Sequence, residues 1–222
     1  MKNEKSVVVF AKEKYGLNKV LKFLKNNFRH VQVFKGIRGD DFPRAVYKSN
    51  YDICVSYMSP WIIPGKLLSN IRDFAINFHP GPPNYRGIGC TNFAVYNNES
   101  KFGVTAHLMS PNVDSGKIIS VKYFSVLHED SLVDISNKCY RIILRQFFEV
   151  FKHYLKYHTL PQSNAKWSRR LYTRKELDQL CKIKKGMTLS EVKKRIRATN
   201  FPNMPNAYIQ LFGYRFEYKE WV

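Results

Sequence analysis

Asn77 and His79 stand two residues apart at the end of the apolar run Phe74-Ala75-Ile76, and Pro80, Pro82 and Pro83 follow. On extended backbone, side chains two apart share a face, so an amide and an imidazole are presented together. The prolines fix the exit of the chain. An amide N–H can hold a carbonyl oxygen that gains charge, and an imidazole can handle a proton near neutral pH. Asp114 lies 37 residues after Asn77, in Val113-Asp114-Ser115-Gly116. A carboxylate there can reach the histidine, orient it and raise its pKa. Taken singly each feature is ordinary: Asn-x-His after a strand is more often a turn with a satisfied histidine, and Asp-x-Gly is commonly a turn. Taken together they suit amide transfer.

The elements that must position these groups follow from the apolar pattern. Residues 7–10 form a short buried-strand run, and Leu17, Val20, Leu21 and Leu24 follow at helical spacing. Residues 31–34, 53–55 and 74–78 read as further strands, with a helix over 66–70 opened by Pro64. Strands alternating with helices predict an α/β, Rossmann-like, doubly wound fold with a mostly parallel sheet. Ligands of such sheets bind beyond the carboxyl ends of the strands, where Asn77 and His79 fall. Residues 104–108 and 117–124 add two strands joined by the Asp114 loop. A helical period from Leu132 to Tyr154 then closes a catalytic domain expected over 1–158. From about residue 160 the chain turns polar and basic, with a short helix over 190–198 and a hairpin over 207–218 turning at Gly213. Residues 159–222 are read as a small helix-and-hairpin appendage.

Lys and Arg number 37 against 17 Asp and Glu, a formal charge of +20. That excess favours anionic partners without choosing among nucleic acid, a nucleotide diphosphate and a polyglutamate tail, and a solvated lysine-rich surface explains it as well. Cys54, Cys90, Cys139 and Cys181 lie far apart without metal spacing, so free thiols in a reducing cytoplasm are expected, with no metal. The apolar run 7–11 is too short for a signal-peptide core, and no stretch approaches the roughly 18 apolar residues of a membrane span.

Asn77-Phe78-His79-Pro80-Gly81-Pro82-Pro83 with Tyr85-Arg86-Gly87, followed by Asp114-Ser115-Gly116, resembles the signature of the formyltetrahydrofolate-dependent formyltransferases. The stretch Gly87-Ile88-Gly89-Cys90-Thr91-Asn92-Phe93-Ala94, with Gly103-Val104-Thr105-Ala106-His107, is most similar to the nucleotide-sugar N-formyltransferases. The resemblance implies N10-formyltetrahydrofolate as co-substrate, no metal, and Asn77, His79 and Asp114 as the catalytic trio. Asn77 would hold the oxyanion, His79 would take the proton of the attacking amine, and Asp114 would poise His79. Tyr57, Met58, Ser59, Trp61 and Ile62 fall in a segment resembling the family loop whose backbone pairs with the pterin ring.

The family's acceptors differ. Methionyl-tRNA formyltransferases carry a further C-terminal β-barrel, whose start Arg195-Ile196-Arg197-Ala198, Phe201-Pro202, Pro205 and Ala207-Tyr208 resembles, yet only a hairpin follows before Val222. A glycinamide ribonucleotide formyltransferase would lack this tail. The sugar enzymes have a short tail of this kind, often used to pair subunits. The expectation is a homodimer acting on a dTDP- or UDP-linked amino sugar for glycan or O-antigen synthesis, with Arg86, Gly87, His107 and Tyr208 toward the acceptor. Trp167, Tyr172 and Tyr208 stack on a base or cover the appendage. A methionyl-tRNA formyltransferase-like enzyme and a non-catalytic, basic RNA-binding protein on the same fold stay open as alternatives.

Overall fold

A computed structural model describes residues 2–202, 204 and 206–219; Pro205 and Val222 lie outside the described residues. The chain begins with β1 (Asn3–Ala11), α1 (Leu17–Asn27) and β2 (Phe28–Lys35). A 3₁₀ turn at Arg44–Lys48 leads to β3 (Tyr51–Tyr57), the short α2 (Gly65–Leu68) and β4 (Ile71–His79). β5 (Arg86–Gly87) and α3 (Cys90–Tyr96) precede β6 (Lys101–Leu108), β7 (Ile118–Ser125) and the long α4 (Leu132–Tyr157). The remainder forms β8 (Leu171–Tyr172), α5 (Arg174–Cys181), β9 (Lys182–Ile183), α6 (Leu189–Thr199), β10 (Tyr208–Leu211) and β11 (Tyr214–Glu217).

Six strands make one sheet in the order β2-β1-β3-β4-β6-β7. The first four run parallel, β6 runs antiparallel to β4, and β7 runs antiparallel to β6, so the expected doubly wound, mostly parallel α/β sheet is present. The chain winds outward from β1 to β2 and returns on the other side to β3. The strand order therefore reverses between β1 and β3, and a crevice opens at their carboxyl ends. Lys12, Met58 and Pro80 are the first residues past β1, β3 and β4, which brings three separate loops to that crevice.

Both faces of the sheet are covered, which explains why residues 7–11 are apolar without alternation. Val7, Val9, Val55 and Phe78 pack on one face with α1 and α4, while Val8, Phe10, Cys54 and Ala75 pack on the other with Ile63 and Leu67. α4 offers Ile135, Cys139, Ile143, Phe147 and Phe151 at helical spacing, all fully buried, and begins with a reciprocal Ser131–Asp134 capping box. Phe147 lies against Tyr57, Phe78 and Phe151. Truncating it to alanine should cost about 3–5 kcal/mol.

The C-terminal quarter adds to this same core. Tyr172 stacks on Tyr85 and Phe93 with ring centroids 5.3 and 4.3 Å apart, and Leu177, Leu180 and Ala198 belong to the main apolar cluster. β8 pairs with β5, setting Gly87 opposite Tyr172. Gly87 has φ +90°, and a Cβ there would collide with the Tyr172 carbonyl, so this close approach requires glycine. β9, β10 and β11 form a small separate sheet, the last two making the expected hairpin. α5 is an addition to the elements expected from the sequence, although Thr173 and Glu176 form a capping box at its start.

Candidate active site

Successive residues of β4 point to opposite faces, so Phe78 enters the core while Asn77 and His79 project from the other side. β6 runs antiparallel beside it, with Asn77 opposite His107 and His79 opposite Thr105. Directly opposed residues share a face, which delivers His107 next to Asn77. Asn77 Nδ2 lies 3.1 Å from His107 Nε2, and His107 Nδ1 lies 2.8 Å from the Leu108 carbonyl. A carbonyl can only accept, so Nδ1 carries the proton. In the neutral ring Nε2 is then the acceptor for one Asn77 amide N–H.

Asp114 sits between the two imidazoles. Its Oδ2 is 3.3 Å from His79 Nδ1 and its Oδ1 is 3.3 Å from His107 Nε2. The backbone N–H of Gly87 donates to Oδ2 at 2.9 Å. Asp114 itself has φ 45°, a left-handed conformation that Asp tolerates better than most residues. Close by, a side chain on Gly116 would collide with the Leu108 carbonyl, so this loop folds tightly against β6. All three charged or chargeable groups are buried: His79 is 4%, His107 2% and Asp114 7% exposed.

Burial would raise the Asp114 pKa, but His79, His107 and the Gly87 N–H outweigh it and hold the carboxyl at about 2. His79 goes the other way. Burial lowers its pKa below the ordinary histidine value, although the Asp114 charge and the Tyr85 carbonyl raise it. The sequence-based expectation that Asp114 would raise this pKa therefore holds for the pair and fails for the net direction, because desolvation wins. His79 Nε2 lies 2.8 Å from the Tyr85 carbonyl, so both ring nitrogens face acceptors. Only an imidazolium satisfies both at once.

The indole of Trp167 stands edge-on over both rings, 5.8 Å from His79 and 5.0 Å from His107, and donates its N–H to the Gly116 carbonyl at 2.8 Å. Arg86 ties the same parts together, donating to the Val113 and Ser168 carbonyls with its guanidinium 5.9 Å from the indole ring. It is thus a staple of the Asp114 loop.

Two cavities meet at this cluster. The first, about 490 Å³, is lined by Ser59, Trp61, Ile62, Asn77, His107 and Asp114 among others. The second, about 280 Å³, is lined by Lys12, Lys14, Pro80, Cys90 and Tyr140 among others, and Gly87 and Arg174 line both. Cys90 Sγ is 3.5 Å from His79 Nε2, so this wall residue of the second cavity stands directly against the buried histidine, which itself lines neither cavity.

Ser59, Trp61, Ile62, Gly87 and His107 thus gather with the trio as read from the sequence. Tyr57 does not: its ring is fully buried and its hydroxyl donates to the Tyr15 carbonyl, because its position in β3 points it into the core. Met58 packs against that core as well. Tyr208 stands on β10 of the small separate sheet with Arg215 3.7 Å above its ring, and it lines neither cavity. Lys12, Lys14 and Arg174 have no local pattern that marks them, while Tyr85 and Cys90 fall inside the signature without a role read for them.

The family model described as formyl transferase matches residues 7–150. The chain belongs to the formyl transferase family. Among curated members it is 28% identical over 197 residues to methionyl-tRNA formyltransferase of Lactobacillus gasseri, covering 87% of this chain and 61% of that protein. It is 33% identical over 90 residues to that of Ehrlichia ruminantium, covering 40% of this chain and 30% of that protein. It therefore spans under two thirds of the length of these relatives.

Among solved formyl transferase structures, a sugar N-formyltransferase from a Shewanella species superposes with TM-score 0.75 at 20% identity, covering 98% of this chain and 99% of that one. A 4-N formyltransferase from Francisella tularensis gives TM-score 0.75 at 21% identity, covering 97% and 98%. An N-formyltransferase from Helicobacter canadensis, in complex with folinic acid and dTDP-3-aminofucose, gives 0.68 at 20% identity, covering 88% and 80%. These establish a shared fold. Among the described residues no group of three His, Cys, Asp or Glu is placed to hold a metal ion, and no helix is long and apolar enough to cross a membrane.

Proposed function

We propose that this chain transfers a formyl group from N10-formyltetrahydrofolate to the amine of a nucleotide-linked amino sugar. The observation that carries this reading is the buried Asn77–His107–Asp114–His79 cluster at the junction of two cavities. The first cavity suits a flat heterocycle: Trp61, Ile62 and Ile63 give it apolar walls, and Ser56, Ser59 and Asn77 give polar contacts. The folate supplies the formyl group as an amide whose carbonyl gains negative charge during transfer.

Each residue then has a task that its surroundings suit. With one amide N–H given to His107, Asn77 keeps a second N–H for the developing oxyanion, a contact worth about 3 kcal/mol in such sites. His79 is held neutral by burial and so is available as a base. On taking the amine's proton it becomes an imidazolium whose N–H groups already face Asp114 and the Tyr85 carbonyl. These two acceptors offset part of the desolvation cost of the protonated ring, so the proton can be held for the length of the step. Asp114, ionised at any physiological pH, supplies the countercharge.

An amino sugar is preferred as acceptor because the chain matches sugar N-formyltransferases along nearly their whole length in fold. The methionyl-tRNA reading is supported by the curated relatives. Incubation with N10-formyltetrahydrofolate and either dTDP- or UDP-linked amino sugars, following tetrahydrofolate release, decides between them. Turnover only with methionyl-tRNA would replace the sugar reading, and RNA binding without any turnover would replace the enzyme.

The same reading includes a cytoplasmic homodimer. Phe212, Tyr214, Phe216 and Leu211 leave the hairpin strongly apolar and exposed, Phe212 at 97%. Such a patch is normally covered by a partner. Phe212→Asp should convert a dimer to a monomer in sedimentation; a wild-type monomer excludes this role.

A further inference from the structure

Among the described residues, three cations along the second cavity have no counterion. Lys12 and Lys14 are half-buried at the end of β1, and Arg174 is half-buried at the first turn of α5. None forms an ion pair among the described residues, whereas Lys5, Arg29, Lys35, Arg170 and Arg195 all do. Asp178 also lines the cavity but lies beyond ion-pair distance of all three. Burial lowers the Lys14 pKa, and the nearby Lys12 charge lowers it further. Like charges gathered at a partly desolvated wall are unfavourable unless an anion completes them.

We propose that Lys12, Lys14 and Arg174 form a phosphate-binding site that receives the diphosphate of the acceptor in the second cavity. The assignment rests on the acceptor reading given above. The site lies where the strand order reverses, so the loop after β1 and the start of α5 converge from opposite ends of the sequence. Hydroxyl and amide groups from Thr91, Asn92, Ser136 and Tyr140 complete its wall, a composition fit for phosphate oxygens and a sugar. At its inner end Cys90 touches His79, so a molecule anchored by its diphosphate at the cations extends toward the base. The first cavity has Arg38 and Arg174 in its wall together with the Asp114 carboxylate, whereas the second gathers Lys12, Lys14 and Arg174. Arg174 lines both cavities and is the one cation of the trio able to meet both ligands.

Calorimetric titration of the full chain with inorganic pyrophosphate and with dTDP tests this. Both should bind and compete with each other. Lys12→Gln, Lys14→Gln and Arg174→Gln should each weaken both by about tenfold or more, as loss of a charge-assisted contact implies. Lys14→Arg, which keeps the charge, should retain binding. Affinity for a reduced folate should stay unchanged in the two lysine variants, which also reports that they are folded. Unaltered diphosphate affinity in all three neutral variants overturns the site, as does a wild-type chain that binds neither probe. If the cations govern diphosphate affinity and no amino sugar is formylated, the site stands and the acceptor reading falls. Formylation of an amino sugar that ignores all three substitutions overturns the site and leaves the acceptor reading in place. Displacement of dTDP by an oligonucleotide acceptor stem at the same residues would keep the phosphate chemistry and assign it to a polynucleotide.

Discussion

His107 Nε2 lies 3.1 Å from the Asn77 amide nitrogen and, with the ring neutral, accepts its N–H, while the opposite nitrogen donates to the Leu108 carbonyl at 2.8 Å. The imidazole therefore decides which way the amide faces. Reversing the Asn77 amide would set its oxygen against the lone pair of Nε2 and withdraw the N–H offered to substrate. His107 acts as a positioning residue in this arrangement. His107→Phe should lower kcat about fivefold to tenfold with little change in either KM, matching one net hydrogen bond of about 1 kcal/mol. Asn77→Ala should lower kcat by about 10²–10³. Steady-state measurement of kcat and KM separates these, and a His107→Phe variant altered only in KM would return His107 to substrate binding.

The opposed pKa shifts of His79 and Asp114 predict the acid limb of the rate profile. Burial lowers the His79 pKa below its ordinary 6.5, so activity that needs the neutral ring should hold to below pH 6.5 before falling. Asp114→Asn removes a charge that raises the His79 pKa, so the limb should move to still lower pH while the rate drops about 10²–10⁴-fold. A limb shifted upward in Asp114→Asn would contradict the assignment.

Stability should follow the same groups. A carboxyl held at about 2 contributes stability that is complete above its unfolded value of 3.8 and is lost as pH falls through the folded value. A histidine with lowered pKa destabilises the fold as pH falls below 6.5, because the unfolded chain then binds the extra proton. Urea midpoints should therefore decline in two stages, the first beginning near pH 6.5 and the second below 4. His79→Gln should remove this residue's share of the first stage.

Trp167 shields both histidines and anchors Gly116. Trp167→Ala should cost about 2 kcal/mol in urea unfolding, less than a fully buried tryptophan because the ring is partly exposed. Amide exchange across residues 110–117 should accelerate in this variant. Exchange confined to residues 160–170 would mean that the Asp114 loop stands without the indole.

Gly87→Ala places a side chain on the Tyr172 carbonyl at a positive φ. The change should destabilise the fold by at least about 3 kcal/mol and impair activity along with it, since the Gly87 N–H also holds Asp114. A melting temperature within a degree of wild type would contradict the close packing of β5 on β8.

The sheet was legible in the sequence because strands buried on both faces are written as plain apolar runs, as at residues 7–11. Asn77 and His79 were legible through their spacing on a strand and the proline exit, and Asp114 through the family signature. Trp167, Cys90 and Arg174 were not, because their place at the site is made by tertiary packing between distant segments or, for Cys90, around a turn. Tyr57 is the last residue of β3, where alternation sends its ring to the core and leaves only its backbone toward the loop. α5 escaped notice because its eight residues are mostly polar and only Leu177, Leu180 and Cys181 are buried.

The stacking of Tyr172 on Tyr85 and Phe93, and of Trp167 against the two histidines, also orders events during synthesis. The ribosome delivers Asn77, His79 and Asp114 long before the residues that roof them. The site is therefore complete only once the segment through Tyr172 has folded back over residues made much earlier.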